Sequence, residues 1–312
     1  MTKIAVLDDY DGSISKLPCW KKLGNDFEIR FFNDPIIAKD VSGFNVIVAN
    51  RERTILDQKF IKEAENLQHL ALTGRLSGQA DLNALKAKGV AVSFTEGSGS
   101  SAAELTIALM LGITKRIHDR HNTVKSGGWQ SEPSITLQGK TLGVLGLGRI
   151  GSRVAEAGKL LGMNVISWGP TEDNGRSLRM GIQRMELADC LKNSDVLSIC
   201  LRLSEKTRNI LGAKELALLK DGVFLINTSR AEIIEKDALY EELESNRIWA
   251  ALDVFYKEPL PQNDPLRRFS NVLLSPHMGY VTKEVYQTFF TQVVDNIIAW
   301  KNGAPYQDAL KA

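Results

Sequence analysis

Three short stretches place a reactive side chain directly behind an apolar run. Arg230 closes Asn227-Thr228-Ser229-Arg230 after the run 223–226, Asp253 and Glu258 follow the run 249–252, and His277 follows 272–274 in Ser275-Pro276-His277-Met278-Gly279-Tyr280. If each run is a strand, all three stretches lie at the edge of an open α/β sheet where ligands bind. A guanidinium offers a planar fork for a carboxylate. An imidazole exchanges a proton near neutrality, and a neighbouring carboxylate holds it charged. Reduction of a carbonyl beside a carboxylate needs that set. Taken singly, each has a plainer use: Arg230 in a surface ion pair, Glu258 in a turn, Asp253 capping the turn after its strand, His277 as a hydrogen-bonded core residue. The remaining histidines are His69, His118 and His121. His118 and His121 stand three apart on a predicted helix without a Cys or carboxylate cluster, so a solvated face is expected there and no metal site.

A second kind of chemistry is written at the run 141–145, which leads into Gly146-Leu147-Gly148-Arg149-Ile150-Gly151 and a helical segment, 152–161. The first glycine permits the tight turn, the second lets a pyrophosphate approach the backbone, and the third lets helix pack on strand. The helix start then offers unpaired N–H groups and a partial positive charge to phosphates. With strand and helix both in place, the motif predicts dinucleotide binding. An acidic residue should end the next strand and hold the adenosine ribose, but Gly169 stands there. An acid would repel a 2′-phosphate, and Arg176 and Arg179 lie several residues on, so NAD and NADP both remain open.

The elements that must position these groups read as a doubly wound α/β protein. Apolar runs at 3–7, 28–32, 46–49, 70–73 and 91–94 alternate with helix-length segments such as 57–64 and 81–88. Strands covered on both faces require such runs. After Glu96-Gly97-Ser98-Gly99-Ser100-Ser101 comes a long apolar-periodic segment, 102–120, then a polar passage, 122–139. A second series of runs follows at 141–145, 164–168, 196–199, 223–227, 249–252 and 272–274, and a last helix spans 283–301. Periodicity leaves that helix open to either domain. The 312 residues fit two domains. Composition is that of a globular chain, 43% hydrophobic and 24% charged, and 39 basic against 37 acidic residues leave +2. That balance predicts neither nucleic-acid nor membrane-surface binding. No apolar run approaches the ~20 residues of a membrane span. Asp8 and Asp9 stand where an export signal needs its apolar core, and Cys19, Cys190 and Cys200 form no Cys-x-x-Cys pair. A reducing, cytoplasmic location is expected.

Taken in order, these motifs resemble the D-isomer-specific 2-hydroxyacid dehydrogenases. The resemblance runs through Ile4-Ala5-Val6-Leu7-Asp8-Asp9-Tyr10, Arg51-Glu52-Arg53-Thr54, Ala103-Glu104-Leu105-Thr106, the glycine turn, Asn227-Thr228-Ser229-Arg230, Leu252-Asp253-Val254-Phe255, Glu258-Pro259 and Pro276-His277-Met278-Gly279. It covers essentially the whole chain. It implies a flavodoxin-like substrate domain, 1–101 with 283–312, and a Rossmann NAD(P)-binding domain, 102–282. His277 would be the general acid/base, Glu258 the partner that keeps it charged, and Arg230 the grip on the substrate carboxylate. Arg149 and Ile150 would meet the pyrophosphate, and Thr106 and Asp253 the nicotinamide end. Gly169, Cys200, Arg202 and Thr228 complete the expected cofactor contacts. Gly74, Arg75 and Leu76, with Tyr280, would line the substrate site, Gly74 to Leu76 lying in the loop whose backbone N–H groups hold the carboxylate. A homodimer built partly on 122–139 is also implied.

The chain departs from its relatives in places. Ala231 follows the arginine where the family usually has Gly, a change tolerated unless the backbone needs φ > 0. Cys200 and Arg202 replace the usual His and Pro at the edge facing the cofactor; Arg202 is either solvated or directed at the ribose or a 2′-phosphate. Arg51, Arg53, Arg75 and Tyr280 are candidate pocket residues, with surface pairing to Glu52 or Asp81 the alternative for the arginines. The reading is interconversion of a small 2-oxo acid and its D-2-hydroxy acid. Its rivals are an NAD(H)-sensing binding protein, like the C-terminal-binding-protein corepressors that resemble this family, and a dehydrogenase with an unusual donor such as phosphite.

Overall fold

Near-continuous apolar strands force a parallel sheet covered on both sides, and the chain builds two of them. The computed structural model describes residues 1–75, 80–171 and 175–310. The chain divides into two units, Met1–Ser98 with Thr282–Ala312, and Gly99–Val281.

In the first unit β1 (Thr2–Val6), β2 (Phe27–Phe31), β3 (Val46–Ala49), β4 (His69–Leu72) and β5 (Ala91–Ser93) pair in parallel in the order β2-β1-β3-β4-β5. This is the flavodoxin-like order. Every residue of β3 and β4 is buried. Asp57 and Asp81 start the flanking helices Gln58–Glu63 and Leu82–Ala87, each carboxylate accepting an N–H of the first turn. The last helix, Lys283–Lys301, belongs to this unit and buries Tyr286, Phe289, Phe290, Val293, Val294 and Ile297. Behind it the chain crosses β5: Phe94 N–H donates to the Gln307 carbonyl and Ala309 N–H to that of Val92.

Among the described residues the second unit holds seven parallel strands: β6 (Thr141–Leu145), β7 (Asn164–Trp168), β8 (Gln183–Arg184), β9 (Val196–Ile199), β10 (Phe224–Asn227), β11 (Trp249–Leu252) and β12 (Val272–Leu274). Their order is β12-β11-β10-β9-β6-β7-β8. The chain builds outward from β6 through β7 and β8, then returns to lay β9 on β6's other side. The carboxyl ends of β6 and β9 are therefore the switch point where such sheets bind ligands.

The periodic segment 102–120 is divided at Arg116, whose left-handed φ of +51° separates Ser100–Thr114 from Ile117–Lys125. The first helix packs Ala103, Leu109, Met110 and Ile113 into the core, whereas Ile117–Lys125 buries none of its residues.

Candidate active site

The glycine turn after β6 shows three separate demands. Gly146 has φ +96°, and its N–H donates to the Trp168 carbonyl at 2.7 Å. A Cβ on Gly146 would lie 2.7 Å from the Cys200 carbonyl oxygen, and one on Gly151 would lie 2.0 Å from that of Gly146. Packing thus forbids a side chain at both. At Gly148 a Cβ would meet none of the described residues within 4 Å. Gly148 also caps the helix Arg149–Leu160 without a side-chain hydrogen bond. Open space in front of an uncapped helix start is what a pyrophosphate requires, so these residues fit a dinucleotide.

Cys200 lies beneath the turn. Its N–H donates to the Leu145 carbonyl at 2.8 Å, its Sγ is 3.5 Å from Ser198 Oγ, and burial pushes the thiol up to about 11. Arg202, two residues on, is exposed. Gly169 follows β7 half-buried, and its carbonyl accepts from Arg184. Arg184 is a residue the sequence reading missed. Thr106 is buried and donates to the Ala102 carbonyl at 2.7 Å. Its single proton being used there, the 2.6 Å contact between Thr106 Oγ1 and Thr228 Oγ1 is donated by Thr228.

The loop after β10 is clamped by buried Asn227. Its Oδ1 accepts the Ser229 N–H at 3.0 Å, its Nδ2 donates to the Arg230 carbonyl at 2.9 Å, and Ser229 Oγ donates to the Ile199 carbonyl at 2.8 Å. Half-buried Arg230 donates from Nη1 to the Ser229 carbonyl. Ala231 begins a short 3-10 turn, Ala231–Ile233, outside the left-handed region, so alanine there is unstrained.

His277 is the most constrained group. Its φ of +55° is a left-handed conformation that a non-glycine residue keeps only when its surroundings impose it. Asp253 supplies the constraint. Wholly buried, its Oδ1 accepts from Ser275 Oγ at 2.6 Å and Met278 N–H at 2.7 Å, and its Oδ2 accepts Gly279 N–H at 2.9 Å. Burial raises the Asp253 pKa, opposed by those hydrogen bonds and the nearby imidazole. The residue expected at the nicotinamide end therefore spends both oxygens on the loop that carries His277. His277 Nδ1 lies 2.6 Å from Glu258 Oε2, and Glu258 Oε1 accepts the Phe255 N–H at 3.0 Å. The Tyr280 ring stands edge-on to the imidazole, 5.7 Å between centroids.

In the first unit, Gly74 has φ +83°, and its N–H already donates to Thr95 Oγ1 at 2.7 Å. Exposed Arg75 pairs with Glu96, and Leu76 lies outside the described residues. Arg51 N–H donates to Thr73 Oγ1 at 2.8 Å, and its guanidinium pairs with Glu52 at 3.3 Å. Arg53 donates to the Asp8 carbonyl at 3.1 Å and lies over the Tyr10 ring. Among the described residues no cluster of three or more His, Cys, Asp or Glu could hold a metal, and no helix is long and apolar enough to cross a membrane.

Comparison with known proteins follows the same lines. Residues 107–279 match the family described as D-isomer specific 2-hydroxyacid dehydrogenase, NAD binding domain. A glyoxylate reductase of Aeropyrum pernix is 36% identical over 259 residues, which are 80% of this chain and 77% of that one. A D-3-phosphoglycerate dehydrogenase of Archaeoglobus fulgidus is 32% identical over 278 residues, 88% of this chain; the match spans about half, 53%, of that longer protein. The crystal structure of a phosphoglycerate oxidoreductase from Vibrio cholerae O395 superposes with a TM-score of 0.93 at 34% identity, covering 97% of this chain and all of that one (100%).

Proposed function

The chain belongs to the D-isomer specific 2-hydroxyacid dehydrogenases, and from that premise we propose that it is an NAD(P)-dependent oxidoreductase interconverting a small 2-oxo acid and its D-2-hydroxy acid. The observation that carries this reading is the His277–Glu258 pair at 2.6 Å, held on the sheet edge that also bears the glycine turn. With Nδ1 turned to the carboxylate, Nε2 is the nitrogen that exchanges a proton with the substrate oxygen. Arg230 binds the substrate carboxylate through its planar fork. Gly146, Gly148, Arg149, Ile150 and Gly151 hold the pyrophosphate, with Thr106, Thr228, Gly169, Cys200 and Arg202 around the rest of the dinucleotide. When bound, the nicotinamide supplies or accepts the hydride. The second unit is thus the dinucleotide-binding domain. The first is the substrate domain.

Purified protein mixed with NADH or NADPH and a panel of 2-oxo acids, followed by loss of cofactor absorbance, tests this. Turnover giving the D-hydroxy acid is expected. Dinucleotide binding without turnover on any 2-oxo acid overturns the enzymatic reading in favour of a sensor, and reduction of NAD+ or NADP+ by phosphite, with no 2-oxo acid turned over, overturns the substrate class. A homodimer is part of the same proposal. It is supported by the helix Ile117–Lys125, which leaves Ile117 and Val124 exposed, and by Trp129, 77% exposed just beyond it. Sedimentation showing a monomer at micromolar concentration would refute it. The unpaired Cys19, Cys190 and Cys200 support a cytoplasmic location.

A further inference from the structure

We propose that Arg176, placed against the glycine turn, makes this chain select a dinucleotide carrying a 2′-phosphate, so that NADP(H) binds in preference to NAD(H). The inference rests on the dinucleotide-binding reading above and names the cofactor for that site.

In this fold the residue closing the second strand of the nucleotide-binding half reads the adenosine ribose. An acid there binds the ribose hydroxyls and repels a phosphate, whereas a nearby arginine accommodates one. That strand is β7, and the Gly146 N–H bond to the Trp168 carbonyl, 2.7 Å, ties its end to the glycine turn. The next residue is Gly169, where a Cβ would meet, among the described residues, only the Thr171 carbonyl oxygen, at 3.9 Å. The position thus offers neither an acid nor bulk.

Two guanidinium groups flank it. Arg176 donates from Nη1 to the Leu147 carbonyl at 2.6 Å, and Leu147 is the residue between the first two glycines of the turn. Among the described residues this is the one hydrogen bond of the Arg176 guanidinium. A guanidinium has five N–H donors, so the rest of a planar, phosphate-matching fork is left on a half-buried side chain. Arg184 comes from β8, in register with Ser167, and donates to the Gly169 carbonyl at 2.9 Å and the Thr171 carbonyl at 3.0 Å. It fixes the backbone beside the ribose position and adds a second positive charge. Both arginines have neutral carbonyls as these partners, so neither bond cancels the charge.

The test needs no substrate. The full chain is titrated by calorimetry with adenosine 2′,5′-bisphosphate and with AMP, and by fluorescence with NADPH and NADH. The 2′-phosphorylated ligand of each pair should bind at least ~10-fold tighter, a difference of about 1.4 kcal/mol. In Arg176→Ala the preference should fall to within about twofold while AMP affinity stays unchanged, and Arg176→Lys should restore part of it. Equal or tighter binding of AMP and NADH overturns the proposal. A preference that survives Arg176→Ala overturns it too. Failure of both ligand pairs to bind would instead remove the dinucleotide reading, and binding without turnover bears only on the reaction.

Discussion

His277 Nδ1 and Glu258 Oε2 lie 2.6 Å apart, and the other Glu258 oxygen is taken by the Phe255 N–H, so the carboxylate has one orientation and the imidazole one partner for Nδ1. Nε2 is then the proton-exchanging atom. Replacing His277 by Asn removes that proton while keeping a polar side chain, and turnover should fall by about 10²–10⁴-fold. Dinucleotide affinity, set at the glycine turn, should not change. Near-normal turnover of His277→Asn would remove this residue from the chemistry.

Asp253 poses a choice between two roles. If it meets the nicotinamide end, Asp253→Asn should weaken dinucleotide binding. If it acts by holding the His277 loop, the Asn amide would face the Gly279 N–H, donor against donor, in a buried site. That costs roughly 1–3 kcal/mol of stability and lets the left-handed turn at His277 relax. The geometry favours the second outcome: a lower melting temperature and lower kcat, with the dinucleotide Kd held. A raised Kd at unchanged melting temperature would reverse the assignment.

How legible the site was in the sequence depended on how local each constraint is. The glycine turn was readable because its requirements lie within six residues and show as residue type. β3, β4 and β9 were readable because burial on both faces demands near-continuous apolar runs. β8 was not, since Gln183 and Arg184 are exposed and carry no apolar signal. Nor was the break at Arg116, because apolar periodicity runs straight through it and only a backbone angle ends the helix. The bonds from Asp253 to Ser275, Met278 and Gly279 reach 22 to 26 positions along the chain and leave no mark in local spacing. His277, Glu258 and Arg230 stood out by type, but their roles came from family resemblance, and the structure adds the contact between His277 and Glu258.

The glycines of the turn should separate binding from folding. A Cβ at Gly151 would sit 2.0 Å from the Gly146 carbonyl oxygen, so Gly151→Ala should lower the melting temperature and weaken dinucleotide binding together. A Cβ at Gly148 meets none of the described residues within 4 Å, so Gly148→Ala should fold as the parent does. Its methyl would occupy the space in front of the helix start, and dinucleotide affinity should drop by about 10-fold or more, some 1.4 kcal/mol. Calorimetric titration beside a thermal melt reads both. Unchanged affinity in Gly148→Ala would place the pyrophosphate elsewhere.

A buried histidine of the first unit should govern acid stability. His69 on β4 is fully buried, shares a 2.8 Å hydrogen bond from Nε2 with Ser93 Oγ, and packs against the rings of Trp300 and Tyr306. Its Nδ1 has no hydrogen-bond partner among the described residues. Burial lowers its pKa from 6.5 to about 3. The unfolded chain therefore binds this proton below about pH 6.5 while the folded chain does not, and stability falls with pH through that window until about pH 3. The contribution lost by pH 5 is about 2 kcal/mol, and it is wholly present above pH 7. His69→Phe removes the titrating group. It leaves Ser93 Oγ without this partner, at roughly 1 kcal/mol, so the variant should be less stable at pH 7.5. Its urea-unfolding free energy should nevertheless decline less between pH 7.5 and pH 5 than that of the parent. Parallel declines in the two proteins would mean that another group drives the acid transition.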